Sequence, residues 1–278
     1  MMELFHEVSQ ACSRNTTERY STSFSSAIRL LHHDLRQPVY NIYGLVRFAD
    51  EIVDTFHDHD KATLITEFRK ETFEAIDRGI SLNPILHSFQ LTVNQYKIDH
   101  ALIHAFFNSM EMDLHSKEYN SDGYNEYIYG SAEVVGLMCL YVFTNADVKK
   151  YEELKPAARA LGAAFQKVNF LRDLKADYNQ LERTYFPGLD FRNFTAHQKQ
   201  QIEEDIQKDF DNAFAGIIHL PVKSRFGVYV AYKYYLSLFR KIKRVQPAKI
   251  MHERIRIPDH HKMMILLRAG IRSQLNIM

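Results

Sequence analysis

The stretch that decides the fold is Tyr40–Phe56, YNIYGLVRFADEIVDTF. Wound as a helix at about 100° per residue, it places Ile42, Leu45, Val46, Phe48, Ala49, Ile52 and Val53 around most of its circumference. A helix that is apolar on nearly every side belongs in an interior. Yet Tyr43, Arg47, Asp50 and Asp54 recur at spacings of four, three and four and form a polar stripe roughly 60° wide. Burying two carboxylates and a guanidinium costs several kcal/mol unless they are paired or hold a cation. The stripe therefore predicts a polar cavity inside the protein.

A second stretch repeats the design. In Leu161–Asp177, LGAAFQKVNFLRDLKAD, the residues Gln166, Asn169, Asp173 and Asp177 share one face, while Phe165, Val168, Phe170, Leu171 and Leu174 occupy the others. Arg172 lies beside the polar face, within reach of an anion in the same cavity. Acid pairs at i, i+4 are not rare, since 34 acids in 278 residues give roughly four by chance, stacked on a helix face. Asp205/Asp209 and Glu67/Glu71 have this spacing in charged company and read as solvated faces. The pairs Asp50/Asp54 and Asp173/Asp177 differ because their helices are otherwise apolar and each comes with an arginine.

Two acids one turn apart are about 6 Å apart along the axis. Two such pairs on facing helices make a ring of carboxylate oxygens around a gap. Magnesium takes one or two carboxylates per ion and completes its shell with water and phosphate oxygens. Arg47 and Arg172 suit the remaining phosphate oxygens, which a guanidinium grips in bidentate fashion. Bare carboxylates repel a diphosphate, so the charge balance calls for the metal. A di-iron carboxylate bundle wants Glu-x-x-His on the metal-bearing helices, and neither has it. The histidine-rich spots, His32-His33, His57-Asp58-His59-Asp60 and Asp259-His260-His261, lack zinc spacing and read as surface or loop. P-loop and GxGxxG patterns are absent.

The rest of the chain is consistent with an all-α protein of one domain, residues 1–278. Only 10 glycines and 7 prolines occur, and helical periodicity fits roughly 20–35, 40–57, 62–79, 82–96, 98–115, 124–144, 152–182, 196–216, 224–244 and 262–276. Breaks are expected at Gln37-Pro38, Ser121-Asp122-Gly123, Thr144–Asp147, Phe186-Pro187-Gly188 and Gln246-Pro247. With 35 Lys and Arg against 34 Asp and Glu, the chain has no bulk attraction for nucleic acid. Two distant cysteines, Cys12 and Cys139, imply no disulfide framework, and a reducing, cytoplasmic setting is expected. The N-terminus lacks the order of a signal peptide. The longest apolar run, Val134–Phe143, is about half a membrane span. Contact with the inner membrane is expected to be peripheral at most, made through an apolar substrate.

At this point the residues resemble a family, the phytoene/squalene synthases, from Tyr20 to about Lys262. The matching segments are Ser21-Thr22-Ser23-Phe24, YGLVRFADEIVD (43–54), YGSAEVVGLM (129–138) and QKVNFLRDLKADYNQLERTYFP (166–187). YKYYLSLF (232–239) and Arg254-Ile255-Arg256 match more loosely.

The resemblance implies an isoprenoid synthase fold, helices around a central cavity, and head-to-head condensation of two prenyl diphosphates. By matching position it implies that Asp50, Asp54, Asn169, Asp173 and Asp177 bind Mg²⁺, or Mn²⁺ in its place. Arg47, Arg172, Gln166, Tyr43, Ser21 and Ser23 are then expected to position phosphate or the reacting ends. Phe24, Tyr129, Gly136, Tyr185 and Tyr235 are expected to line the cavity, with Tyr129 among the catalytic groups and Gly136 leaving room for a prenyl tail. Two departures stand out: Thr22 where the family often has Lys, and Glu133 where many members have Gly.

The resemblance is strongest to bacterial phytoene synthases, which implies two geranylgeranyl diphosphates, no NADPH, and a monomer or homodimer. The alternatives are a farnesyl diphosphate enzyme making squalene, dehydrosqualene or presqualene diphosphate, and an inactive relative that binds or assembles.

Overall fold

The computed structural model describes residues 1–115, 119–181, 185–189, 194–251, 254–258, 264–266 and 269; the side chains of 176–181 fall outside that description. The described elements are helical: α1 Met2–Tyr20, α2 Thr22–Ile28, α3 His33–Asp54, α4 Lys61–Arg78, α5 Pro84–Tyr96, α6 His100–His115, α7 Ser121–Ile128, a π turn Tyr129–Glu133, α8 Val134–Thr144, α9 Val148–Leu181, α10 Ala196–Ile217, α11 Val222–Lys243 and the short α12 Pro247–Ile250. No strand occurs among the described residues.

The two striped helices are the long central ones. In α3, Leu35, Val39, Ile42, Leu45, Ala49, Ile52 and Val53 are buried, and α9 buries Val168, Phe170, Leu171 and Leu174. Around them α1, α5, α6, α8, α10 and α11 close a bundle whose fully buried side chains include Phe89, Phe106, Phe107, Phe210, Tyr229 and Phe239.

Several expected boundaries moved, each for a local reason. The stretch expected as a helix over 20–35 is cut at Ser21, whose extended backbone (φ −143°) lets its hydroxyl cap α2 by accepting the Phe24 N–H at 3.2 Å. No break occurs at Gln37-Pro38, because α3 runs straight through Pro38. The burial of Leu35 and Val39 on either side outweighs one missing backbone donor. Helix α1 was not anticipated, since its buried face is Ser9, Ser13 and Thr17 rather than an apolar stripe. That face docks on α5 and α3 through small polar contacts. Ser13 and Ser88 share a 2.5 Å hydrogen bond, and a Cβ on Gly44 would lie 2.6 Å from Ser13 Oγ. The expected breaks at Asn145-Ala146 (φ 52° and 57°) and Gly188 (φ 67°) are present. The expected helix 262–276 lies largely outside the described residues.

The expected helix 124–144 is continuous, but it starts at Ser121 and carries the π turn in its middle. It is thereby longer than its apolar run suggested. By length and composition alone, Ser121–Thr144 could cross a membrane, yet most of its apolar window is buried between α3, α6 and α9, as in a core helix.

The Asp205/Asp209 pair also departs from expectation. Asp205 is exposed, as a solvated face requires, but Asp209 is half-buried and both carboxylates accept from the buried Lys167 Nζ of α9, at 2.5 and 2.7 Å. The pair locks α10 against the outer side of the same helix that carries Asp173. Glu67 and Glu71 are exposed, as expected.

Close approach of α9 to the π turn depends on Gly162. A Cβ there would lie 2.6 Å from the Ala132 carbonyl oxygen and 3.0 Å from Glu133 Cα, both backbone atoms that cannot swing aside. Gly162→Ala is expected to destabilise the fold by about 1–3 kcal/mol, read as a lower melting temperature. An unchanged melting curve would show that the two helices slide apart without cost.

Candidate active site

A cavity of about 620 Å³ opens between α2, α3, α8, α9, α10 and α11. The α3 stripe lines it with Tyr43, Arg47, Asp50 and Asp54, and the α9 stripe faces it with Gln166, Asn169, Arg172 and Asp173. The side chain of Asp177 lies outside the described residues. Ser21, Phe24, Gly136, Tyr185 and Tyr235 also line the wall. Phe24 leans on Tyr43 with ring centroids 5.4 Å apart, Tyr235 stacks on Phe165 at 3.9 Å, and Tyr185 stacks on Phe170 at 3.9 Å.

Two expected residues are placed elsewhere. Ser23 and Tyr129 are not among the cavity-lining residues. Ser23 sits two positions beyond the capping Ser21, so the turn of α2 carries it off the face that Ser21 and Phe24 share. Tyr129 opens the π turn, and its ring is covered by the Arg159 guanidinium at 5.2 Å from the centroid. Glu133 holds that guanidinium through a 2.5 Å contact to Nε, which gives the unassigned Glu133 a role outside the cavity. Gly136 lines the cavity but does not widen it in the expected direction. Its Cβ position faces the Ala158 carbonyl oxygen at 3.0 Å, so the glycine lets α8 close on α9.

The carboxylates on the two sides are balanced differently. Asp173 is gripped twice: Arg172 reaches both of its oxygens, with Nε at 3.0 Å from Oδ1, and Arg254 donates from Nε at 2.6 Å and Nη2 at 3.2 Å. On α3, Arg47 is drawn toward Glu51 and lies 3.9 Å from Asp50. Its guanidinium is also stacked over the Tyr20 ring, 4.4 Å from the centroid. Burial, together with the negative charge of Asp54, pushes the Asp50 carboxyl up from 3.8 to about 8, against the weaker pull of Arg47. Asp113 of α6 adds to that negative potential. It lines the cavity too, and accepts the Tyr127 hydroxyl at 2.8 Å. Burial likewise raises Tyr43 to about 12, so its hydroxyl stays protonated.

These features fit a divalent cation. Asp50 and Asp54, both half-buried, supply hard oxygen donors in a place that is short of positive charge. Among the described residues, Asn169 Oδ1, on the facing helix, is buried with no hydrogen-bond partner, as is the Arg47 Nε donor. Asp50, Asp54, Asn169 and Asp173 would hold the ion, and Arg47, Arg172 and Arg254 stand next to them for an anion.

The sequence reading missed Tyr20, Asp113, Tyr127 and the role of Arg254. Glu51 was legible as an i+4 partner of Arg47. The others meet the site only through tertiary packing, from α1, α6, α7 and the segment after α12.

Comparison with known proteins agrees with this geometry. A family model for squalene/phytoene synthase matches residues 17–260. A "4,4'-diapophytoene synthase" of Staphylococcus haemolyticus is 27% identical over 68% of this chain and 66% of its own length. A "Phytoene synthase" of Arthrospira platensis is 26% identical over 94% of this chain and 92% of its own. Among solved structures, a dehydrosqualene synthase in complex with ligand superimposes with a TM-score of 0.82, at 18% identity, covering 97% of this chain and 98% of that one. The chain belongs to the squalene/phytoene synthase family, all-α prenyltransferases that join prenyl diphosphates head to head and bind diphosphate through a divalent metal.

The raised Asp50 carboxyl has a measurable consequence in protein stripped of metal by a chelator. The unfolded chain releases this proton near pH 4, while the folded protein holds it to about 8, so stability falls as pH rises through that window. Asp50→Asn escapes this loss. Its melting temperature is expected to exceed that of the wild type by a margin that widens from pH 5 to about pH 8. A margin independent of pH would show that Asp50 is charged in the metal-free fold.

Proposed function

We propose that this protein is a Mg²⁺-dependent 15-cis-phytoene synthase, joining two geranylgeranyl diphosphates through a cyclopropyl (prephytoene) diphosphate. The observation that carries the chain length is the depth of the cavity. Below Asn169 the wall continues along α9 through Gln166, Phe165, Gly162, Leu161, Ala158 and Ala157 to Leu154. Fifteen residues of helix span about 22 Å. An isoprene unit, four bonds of about 1.5 Å in zigzag, extends about 5 Å. A C20 chain is then about 20 Å long and fills that depth, whereas a C15 chain at about 15 Å leaves the floor bare.

In this reading Asp50, Asp54, Asn169 and Asp173 would hold the divalent metal, which would supply Lewis acidity to the departing diphosphate. Arg47, Arg172 and Arg254 take phosphate oxygens as the charge develops on the leaving group, a task for which guanidinium forks are suited. Gln166 and Tyr43 fix the reacting ends beside them. Phe24, Phe165, Phe170 and Tyr235 give the allylic cation aromatic faces and keep water away from it. Attack by the double bond of the second substrate gives a tertiary cation, and loss of a proton from the newly bonded carbon of the first substrate closes the cyclopropane. A second ionisation opens it, and loss of a proton ends the reaction with no hydride donor.

The likeness to a protein named 4,4'-diapophytoene synthase supports a second reading, a C15 enzyme. One assay separates the two. Purified protein with Mg²⁺ is supplied with C15 or C20 diphosphate, with and without NADPH. Phytoene from C20 substrate without NADPH is the expected product; squalene formed only with NADPH overturns the assignment.

Asp50→Asn or Asp173→Asn is expected to lower turnover by at least a thousandfold, with the helical circular dichroism unchanged. Full activity in either variant removes that residue from the metal site.

A further inference from the structure

The α3 stripe gives Arg47 two acids to choose between, one turn further on. Asp50 stands at i+3 and Glu51 at i+4, and helical spacing brings both within reach of its guanidinium. Asp50 lines the cavity, whereas Glu51 is not among the lining residues. Arg47 goes to Glu51: its Nη2 contacts Glu51 Oε1, while Nη1 stays 3.9 Å from Asp50 Oδ2. Glu51 is also the better shielded of the two acids, its side chain 13% exposed against 33% for Asp50, so water screens that ion pair less. The Tyr20 ring, with its centroid 4.4 Å from the guanidinium carbon, supports Arg47 from α1. Among the described residues, Arg47 Nε is left buried with no hydrogen-bond partner.

We propose that Glu51 is a positioning residue of this site. It holds Arg47 off Asp50, so that the Asp50 carboxyl stays open to a divalent cation and Arg47 stays ready for the anion that comes with it. The facing helix shows the arrangement that arises without such an acid. Arg172 has Lys175 and Ala176 at i+3 and i+4, and it bonds directly to Asp173, as Arg254 does. A cation reaching Asp173 would have to displace two guanidinium groups, whereas none has to leave Asp50. Glu51 touches neither substrate nor ion in this role and acts only through where it keeps Arg47. The role presupposes the divalent-metal reading of the cavity and is independent of prenyl chain length.

The test is Mn²⁺ binding to the full chain without substrate, followed by loss of the free ion's electron paramagnetic resonance signal. Glu51→Gln is expected to weaken binding about tenfold, the scale of one charge-assisted hydrogen bond formed between Arg47 and Asp50 at the ion's expense. In an Arg47→Met background the same substitution should change the affinity by less than about threefold, because no guanidinium remains to fall on Asp50. Direct attraction of the ion by the Glu51 charge predicts the reverse, a loss at least as large once Arg47 is gone and Glu51 is unpaired. That result overturns the proposal, and so does equal affinity of the wild type and the folded Glu51→Gln variant. Circular dichroism and melting temperature verify folding; should Glu51→Gln not fold, Glu51→Ala carries the same expectation. Wild-type protein that binds no Mn²⁺ would overturn the metal reading and the proposal with it, whereas the other two adverse results leave the metal reading intact.

Discussion

Carboxylates inside an apolar bundle are the constraint on which this structure rests. Two helices must be buried on most sides to build the core, and each must still present acids to a common space. Only a central cavity meets both demands, so α3 and α9 become the axis and the remaining helices a wall around them. The cost of desolvating those acids is met unevenly. On α9, Asp173 is neutralised by two guanidinium groups of the protein itself. On α3, Arg47 is shared with Glu51, and Asp50 is left so short of positive charge that its carboxyl holds a proton near neutral pH. The side of the cavity that lacks charge balance is the side that asks for a metal.

The arginines serve two states by the same logic. Arg172 and Arg254 cover Asp173 when nothing else does. A cation beside that aspartate would compete for its oxygens, and the freed guanidinium groups would then be available to phosphates that accompany the ion. Ion pairing within the protein thus keeps the anion-binding groups in place until the anion arrives. Tyr20 under Arg47 acts alike, through the face of its ring.

How much of this could be read in advance depended on whether a residue's partner lay on its own helix. The polar stripes of α3 and α9 were legible because helical spacing alone puts Tyr43, Arg47, Asp50 and Asp54 on one line, and Gln166, Asn169 and Asp173 on another. Helix α1 was invisible because its buried face is Ser9, Ser13 and Thr17 rather than an apolar stripe, with Ser13 bonded to Ser88 and Thr17 to the Ser13 carbonyl. Asp205/Asp209 was misjudged for the same reason. Its setting in the sequence is charged, and the buried Lys167 that it binds is 38 and 42 residues away. Tyr129 has the right sequence neighbours for the cavity, yet its ring is covered from the other side by Arg159, which Glu133 anchors.

The π turn at Tyr129–Glu133 carries one more implication, for how the chain tolerates insertions and deletions. A π turn holds one residue more than an α turn over the same rise, so it sets the rotational phase between α7 and α8. Losing a single residue there would regularise the helix and rotate everything before it by about 100°. Tyr127 would swing away from Asp113, Gly130 would be replaced at its tight contact with α6 by a bulkier neighbour, and the aromatic cluster around Tyr185 would lose a member. The site is therefore sensitive to the length of this segment as well as to its side chains, although no residue in the turn is needed to bind metal.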